Sequence, residues 1–431
     1  MIDIKLVREN PELVKDNIKK KFMNNKLPLV DKVRKLDEEW RKLKYKGDAL
    51  RSERNKISQE INQAKKQKKD AKVLIKKAKE IPKKIATNEG KAKKLEIQIH
   101  EMMQDIPNII LSGVSIAKEE KDAKVIKKVG KPKEFAFKPK DHAVLGEKLK
   151  VLDFVRSAKI SGKGFYILKG DLALLNQALI RYAIDFMQKK GYTYIEPPLM
   201  LRKKILGAAL DLEEFEKTIY EIKGEDLSLI GTSEHALLGL HANELFVEKE
   251  LPKKYCSYTM CFRKEIGAHG INEKGLYRTH QFNKVEQFIF CKPEDSEKYY
   301  EEMLENSVEL FKELEIPTRV VEMPSGKLGT WRARYTDLET WRPTTKAYEE
   351  VGSISNCTDF QARNLNIKVQ LRNGEKKVVH TLNNTVVATS RALIAIMENN
   401  QQKDGSIDTE TTSEIHEWKE SDWQKEKLKK T

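Results

Sequence analysis

Two apolar seams in the first quarter of the chain restrict its fold more than any other feature. The first runs Val33, Leu36, Trp40, Leu43, Gly47, Leu50, Arg54, Ile57, Ile61, Ala64, and the second Ala71, Leu74, Ala78, Ile81, Ile85, Asn88, Ala92, Leu95, Ile99, Met102, Ile106. Both step by three and four, the period of a helix that buries a narrow stripe against another helix. Between them lies Lys65-Lys66-Gln67-Lys68-Lys69-Asp70, too short and polar for anything but a turn. An antiparallel hairpin of two long helices is therefore expected, its first arm reaching about 45 to 50 Å. Gly47, Arg54 and Asn88 interrupt the seams and Pro82 and Gly90 lie beside them, so the coil should be locally loose or kinked. Ahead of the seams, Asn10-Pro11-Glu12 has the order of an N-cap followed by proline, which predicts a short helix over 11–21.

Charge follows the same division. The chain carries a net +16, and residues 1–110 hold 30 Lys+Arg against 17 Asp+Glu. A basic arm on a nearly neutral body suits a polyanionic partner, nucleic acid first, although lysines also solvate exposed helices and long coils also serve as spacers. The four cysteines form no CxxC pair, so neither a disulfide framework nor a structural zinc is expected. No apolar run approaches membrane-spanning length and the start lacks a signal-peptide core, which predicts a cytoplasmic protein with no membrane partner.

A second constrained stretch is Phe262 to Phe288, FRKEIGAHGINEKGLYRTHQFNKVEQF. Alternation on its returning limb places Arg278, His280, Phe282, Lys284 and Glu286 on one face of a hairpin. Arginines suit phosphate, an aromatic suits a purine and carboxylates accept from an amine, so one sheet face could hold a nucleotide beside an amino acid. Four alternating charges alone would better suit a solvated edge. Three further stretches stand out: Thr232-Ser233-Glu234 capping a helix over 234–245, Glu350-Val351-Gly352-Ser353 before Asn356-Cys357-Thr358-Asp359-Phe360-Gln361, and Asn383-Asn384-Thr385 leading to Arg391 and a helix over 392–399.

The order FRKE, glycine loop, YRTHQFNKVE resembles the second signature of class II aminoacyl-tRNA synthetases, and among them the seryl-tRNA synthetases. The other stretches, in the same order, are similar to that family's pocket loop, metal strand and third signature. The resemblance implies an α+β protein: an N-terminal antiparallel coiled-coil hairpin over 1–110, a class II catalytic domain of antiparallel sheet flanked by helices over 111–405, and a polar tail over 406–431. It implies activation of L-serine with ATP to seryl-adenylate and transfer to the 3′ end of tRNA(Ser), with Lys65, Lys66, Lys68 and Lys69 at the arm's tip gripping RNA. Duplex RNA excludes side chains from its major groove, so a charged rod can grip it through shape and phosphate.

By the same resemblance Arg263 holds the α-phosphate, Arg391 the γ-phosphate, and Glu350 and Ser353 a Mg2+ on ATP. Phe282 stacks on adenine and Glu265 reads its amino group, with Lys264, Thr279, Val351 and Gly352 completing the ATP set. Glu286 and Glu234 take the ammonium and hydroxyl ends of serine, Arg278 its carboxylate and Thr385 its hydroxyl, beside Thr232, Ser233 and Asn383. A homodimer and, as an open alternative, tRNA(Sec) are also implied. Departures from the family pattern include Asn384-Thr385-Val386, Ser390, Gly352, Lys327 and the loop Ala268 to Asn272. Lys327 bears on the electrostatics of the pocket, and with Gly352 leaves room for an inactive RNA-binding paralogue. A class II enzyme for another amino acid is the remaining alternative.

Overall fold

The computed structural model describes residues 1–210, 216–266 and 275–408. It divides into two compact units, Met1–Pro107 and Asn108–Thr431.

The first unit consists of α1 (Ile4–Glu9), α2 (Pro11–Lys20), α3 (Leu27–Lys66) and α4 (Lys72–Asp105). Pro11 takes the first turn of α2, where its missing N–H is harmless, but Asn10 makes no side-chain cap. Ile2, Val7, Val14, Ile18, Val30 and Val33 bury a small core where the short helices meet the base of α3. Arg8 donates from Nε to Asp37 Oδ2 at 2.7 Å, and Arg41 donates to the same oxygen at 3.0 Å. Asp37, outside the expected seam, is thus buried only because two guanidinium groups satisfy it.

Beyond this base α3 and α4 pack as the seams require, through Gly47, Ile57, Ile81, Ile85, Asn88, Ala92 and Ile99. Toward the C-terminal end of α4 the seam shifts by one residue, burying Met103 more deeply than Met102. At 40 residues α3 spans about 60 Å, longer than the seam indicated, and α4 continues unbroken through Pro82. Two of the supposed flaws fit each other. Asn88 donates from Nδ2 to the Leu43 carbonyl at 2.8 Å, and a Cβ on Gly47 would lie 3.0 Å from that nitrogen. Glycine on one helix makes the space in which asparagine on the other finds a backbone acceptor, so the expected looseness at this level is a polar interlock.

In the second unit the strands in chain order are β1 (Lys124–Val129), β2 (Thr193–Tyr194), β3 (Met200–Arg202), β4 (Leu227–Leu229), β5 (Leu245–Val247), β6 (Lys253–Phe262), β7 (Gln281–Cys291), β8 (Thr318–Glu322), β9 (Arg334–Arg342), β10 (Ala347–Asn356), β11 (Lys368–Gln370), β12 (Lys376–Val378) and β13 (His380–Ala388). Eight of them form one sheet, ordered β1-β8-β9-β10-β13-β7-β6-β2. Every pairing in it is antiparallel except that of the short β2 with β6. This is the expected α+β class.

Alternation along β7 decides what each face does. Val285, Ile289 and Cys291 face a core built with the helices Gly170–Lys189, Ser296–Glu313 and Thr389–Asn399. On the other face Phe288 and Phe290 join a second apolar cluster with Leu237, Leu238, Phe246 and Ile367. Further along that same face the residues become Glu286, Lys284 and Phe282, and there the sheet opens into a cavity.

Candidate active site

Two bulges shape the floor of this cavity. Residues three apart on a regular strand face opposite ways, which would separate Glu350 from Ser353. On β10, however, the register against β9 shifts between Glu350 and Gly352, pairing Glu350 with Glu339 and Ser353 with Asp337. The extra residue returns Ser353 to the face of Glu350, and both line the cavity. A like shift between Thr385 and Val387 on β13 lets Asn383, Thr385 and Ala388 all reach it. Gly352 belongs to this arrangement, because a Cβ there would meet Thr385 Cβ at 3.0 Å.

The cavity holds about 310 Å3 and gathers Thr232, Glu234, Arg263, Glu265, Arg278, Thr279, Phe282, Glu286, Glu350, Val351, Gly352, Ser353, Asn383, Thr385 and Arg391. Of the residues expected there, two fall outside its lining. Lys264 turns away, its Nζ 3.2 Å from the Glu216 carbonyl, and Ser233 is buried inside its helix (Ser233–Leu240). Thr232 is the cap of that helix, accepting from the Glu234 amide at 3.3 Å. The helix stops at Leu240, before the expected residue 245. The third-signature helix starts earlier than expected, at Thr389, which places Arg391 in its first turn.

His280 departs from the expected charged face. β7 begins only at Gln281, so strict alternation does not extend back through the limb. The imidazole instead packs 5.2 Å from the Phe165 ring, with Nδ1 3.0 Å from the Arg263 carbonyl, while Thr279 lines the cavity. Lys327, whose position raised doubt about the pocket, pairs with Glu120 at 3.0 Å and does not line it. The divergent loop Ala268 to Asn272 and the tail tryptophans Trp418 and Trp423 lie outside the described residues.

Within the cavity, positive and negative groups alternate at short range. Arg263 donates from Nε to the Gly231 carbonyl at 3.0 Å and sits over Phe282 at 5.3 Å. Arg391 meets Glu350 Oε2 at 3.1 Å and lies 4.7 Å over the Tyr277 ring. Arg278 reaches Glu265 at 3.4 Å, and the buried Lys284 meets Glu286 at 2.6 Å. Deeper in, Glu234 Oε1 accepts from Gln361 Nε2 at 2.7 Å and from Asn383 Nδ2 at 3.1 Å. Burial, then the nearby charge of Glu286, raises the Glu234 pKa to about 7. Burial, then Arg263 and Lys284, lowers that of His235 to about 3, so this imidazole is a neutral wall of the pocket.

Several lining residues were not identified as site residues from sequence. Arg332 lies 3.9 Å over Trp331 and 4.5 Å over Tyr335 and donates to Ser355 Oγ at 3.2 Å. The alternation of cations and aromatics in Trp331-Arg332-Ala333-Arg334-Tyr335 was the available signal. Tyr277 and His235 were hidden beside stronger motifs. Asp337 is buried next to the lining, and burial followed by the Glu350 charge raises its pKa.

The profile described as the seryl-tRNA synthetase N-terminal domain matches residues 1–110, and that of the tRNA synthetase class II core domain (G, H, P, S and T) matches residues 217–400. A serine–tRNA ligase of Methanocella arvoryzae is 44% identical over 409 residues, covering 94% of this chain and 96% of that protein. The chain belongs to the seryl-tRNA synthetase family. A further relative, the serine–tRNA ligase of Pyrococcus horikoshii, is 43% identical over 428 residues, with 94% of each chain covered. The crystal structure of the seryl-tRNA synthetase from that organism, complexed with ATP, superposes with a TM-score of 0.89 at 42% identity, covering 96% of this chain and 98% of that one. The cytoplasmic serine–tRNA ligase from Naegleria fowleri, in complex with AMP, gives 0.85 at 33% identity, with the same coverage of each chain. Glu350, Arg391, Arg263 and Phe282 all line the one cavity.

Proposed function

We propose that this protein is a serine–tRNA ligase that joins L-serine to ATP as seryl-adenylate and then passes the seryl group to tRNA(Ser). The observation that carries the reading is the convergence of Arg263, Phe282, Glu286, Glu350 and Arg391, from three separate stretches of sequence, on one cavity. Serine's carboxylate is ionised at neutral pH and needs no general base, so the task is alignment and neutralisation for in-line attack on the α-phosphate. The oxygen of serine bonds to phosphorus as pyrophosphate leaves. The 3′-terminal hydroxyl of the tRNA then attacks the acyl carbon, and AMP departs.

Arg263 holds the α-phosphate and Arg391 the γ-phosphate, while Phe282 stacks on adenine and Glu265 accepts from its amino group. Glu286 and Glu234 take the ammonium and hydroxyl ends of serine, Arg278 its carboxylate and Thr385 its hydroxyl. A pocket that hydrogen-bonds a hydroxyl rejects alanine, because its own polar groups would be buried unpaired. Glu350 and Ser353 offer only oxygen donors beside the phosphates, which suits Mg2+, and a bound ion would neutralise charge on the leaving pyrophosphate.

Residues 1–110 act as the RNA-gripping arm, with Lys65, Lys66, Lys68 and Lys69 at its tip, 111–405 as the catalytic domain and 406–431 as a tail. Homodimer formation, a cytoplasmic location and acceptance of tRNA(Sec) belong to the same reading. ATP–pyrophosphate exchange tests its centre. Exchange should depend on serine and not on threonine, proline, glycine or alanine; exchange driven only by another amino acid overturns the assignment, and none from well-folded protein favours an RNA-binding paralogue.

A further inference from the structure

Outside the cavity, one buried polar cluster joins three of the segments that build it. His142, the first residue of the helix His142–Lys148, is 1% exposed. Its Nδ1 lies 3.2 Å from Glu398 Oε1, and its Nε2 accepts the Leu276 amide N–H at 3.1 Å. Glu398 is fully buried in the last turn of the helix Thr389–Asn399, the helix that carries Arg391 near its start. Arg342 of β9 donates to both Glu398 oxygens, at 2.6 and 3.2 Å, and Thr344 Oγ1 donates at 2.6 Å. The same guanidinium reaches Asp141 at 3.1 Å and Glu349, beside Glu350, at 2.9 Å.

The amide that His142 holds opens the limb Leu276-Tyr277-Arg278. Tyr277 donates to the Glu350 carbonyl at 3.3 Å and stacks with Arg391, and Arg278 pairs with Glu265. Just before it, Gly275 has φ +84°, and a Cβ there would lie 2.1 Å from His142 Nε2. Glycine lets the chain cross the imidazole closely enough for the next amide to bond to it.

We propose that His142 is a positioning residue for ATP: by accepting the Leu276 N–H while donating to Glu398, it fixes the register in which Tyr277 and Arg278 meet the nucleotide. The inference rests on the adenylation reading given above. An accepting Nε2 assigns the neutral ring, protonated on Nδ1. Burial opposes charging of this ring, but the hydrogen bonds and charges of Asp141 and Glu398 outweigh it and raise its pKa, with Arg342 the cation facing the cluster from β9. Protonation at Nε2 sets two N–H groups against each other and releases the limb. The positioned form is therefore the one present at higher pH.

The test is serine-dependent exchange by the full-length protein at saturating serine, varying ATP and pH, with His142→Ala and His142→Gln. Alanine supplies neither bond. Glutamine can donate to Glu398 and accept from Leu276 without titrating. The expected result for His142→Ala is a rise of about tenfold or more in KM for ATP, with KM for serine within about twofold, the scale of one lost positioning hydrogen bond. For His142→Gln most of the ATP affinity returns at pH 8. The wild type loses kcat/KM for ATP as pH falls, with a midpoint above 6.5, and the glutamine variant lacks that loss; since both use the same ATP, its own ionisation cancels. An unchanged KM for ATP in His142→Ala overturns the inference. So does a glutamine variant as impaired as alanine with both substrates' KM values and the melting temperature displaced together. Absence of serine-dependent exchange in the wild type overturns the adenylation reading itself.

Discussion

Lys65, Lys66, Lys68 and Lys69 stand exposed around the turn of the arm, whereas Arg263, Lys284 and Arg391 in the pocket each lie against a carboxylate or an aromatic ring. The same charge does different work in the two places. In solvent it acts over roughly a Debye length, about 8 Å at physiological salt, and its effect depends on number more than geometry. In a buried cavity each cation is held by particular partners in one direction, and a planar guanidinium cannot be replaced by an ammonium without losing its paired donors. The arm should thus tolerate rearrangement that preserves charge, and the pocket should not.

The largest expected effect is a double dissociation. Arg263→Ala should lower serine-dependent exchange by about a thousandfold, the scale of removing a donor aimed at developing charge. Arg263→Lys should restore little, and the melting curve should hardly move. Deleting residues 30–105 should leave exchange intact and abolish tRNA charging. Equal charging by the truncated protein would remove the arm from the mechanism.

Next comes the tip. Replacing Lys65, Lys66, Lys68 and Lys69 together by glutamine should reduce kcat/KM for tRNA by about ten- to a hundredfold at low salt and flatten its dependence on salt. Replacing all four by arginine should change it by less than about threefold. If the arginine variant fails as the glutamine one does, the tip is read by geometry and the contrast with the pocket collapses.

The helical hairpin was legible because one period, repeated over some seventy residues, admits few folds. The site was legible where several charged and aromatic residues recur in a fixed order, as in Arg263, Phe282 and Glu286. It was not legible where position depends on strand register. Nothing in Glu350-Val351-Gly352-Ser353 shows that a bulge will return Ser353 to the face of Glu350. Arg332 was hidden for a related reason, since its stacking on Trp331 and Tyr335 exists only after the chain has turned through Gly329, at φ +61°. His142 and Glu398 are 256 residues apart and carry no mutual pattern.

Glu234 sharpens the comparison through pH. Its pKa, raised from 4.5 to about 7, means that the carboxyl form is favoured in the folded pocket. In the proposed pocket serine's hydroxyl donates to the Glu234 carboxylate, a stronger acceptor than the carboxyl form, so KM for serine should rise as pH falls through about 7, by at most about tenfold per unit. The stability linkage has the opposite sense. A raised folded pKa contributes stability that is complete below 4.5 and is lost as pH rises through about 7, at most about 3 kcal/mol. Glu234→Gln should therefore gain stability at pH 8, a gain that shrinks toward pH 5, while losing serine affinity. Denaturant melts at the two pH values, beside serine KM values, check both signs. The exposed lysines of the tip should give no such pH-dependent trade.

The smallest effect concerns the interlock in the arm. Asn88→Ala removes the bond to the Leu43 carbonyl, and one such bond contributes about 1 kcal/mol. Gly47→Ala gains about 1 kcal/mol of helix propensity but brings a Cβ to 3.0 Å from Asn88 Nδ2, displacing the amide and losing that same bond. The two terms nearly cancel, so Gly47→Ala alone should be close to neutral, and Asn88→Ala alone should be destabilising. In the double variant the new methyl meets no amide, so the propensity gain is kept and the double should be about 1 kcal/mol more stable than Asn88→Ala. Hydrogen exchange at the amides around Leu43 and Asn88 in the full-length protein reads this cycle, with serine-dependent exchange as the unaffected control. If instead the four proteins gave additive values, Gly47 and Asn88 would be independent blemishes in the seam and the helices would owe their register to the apolar residues alone.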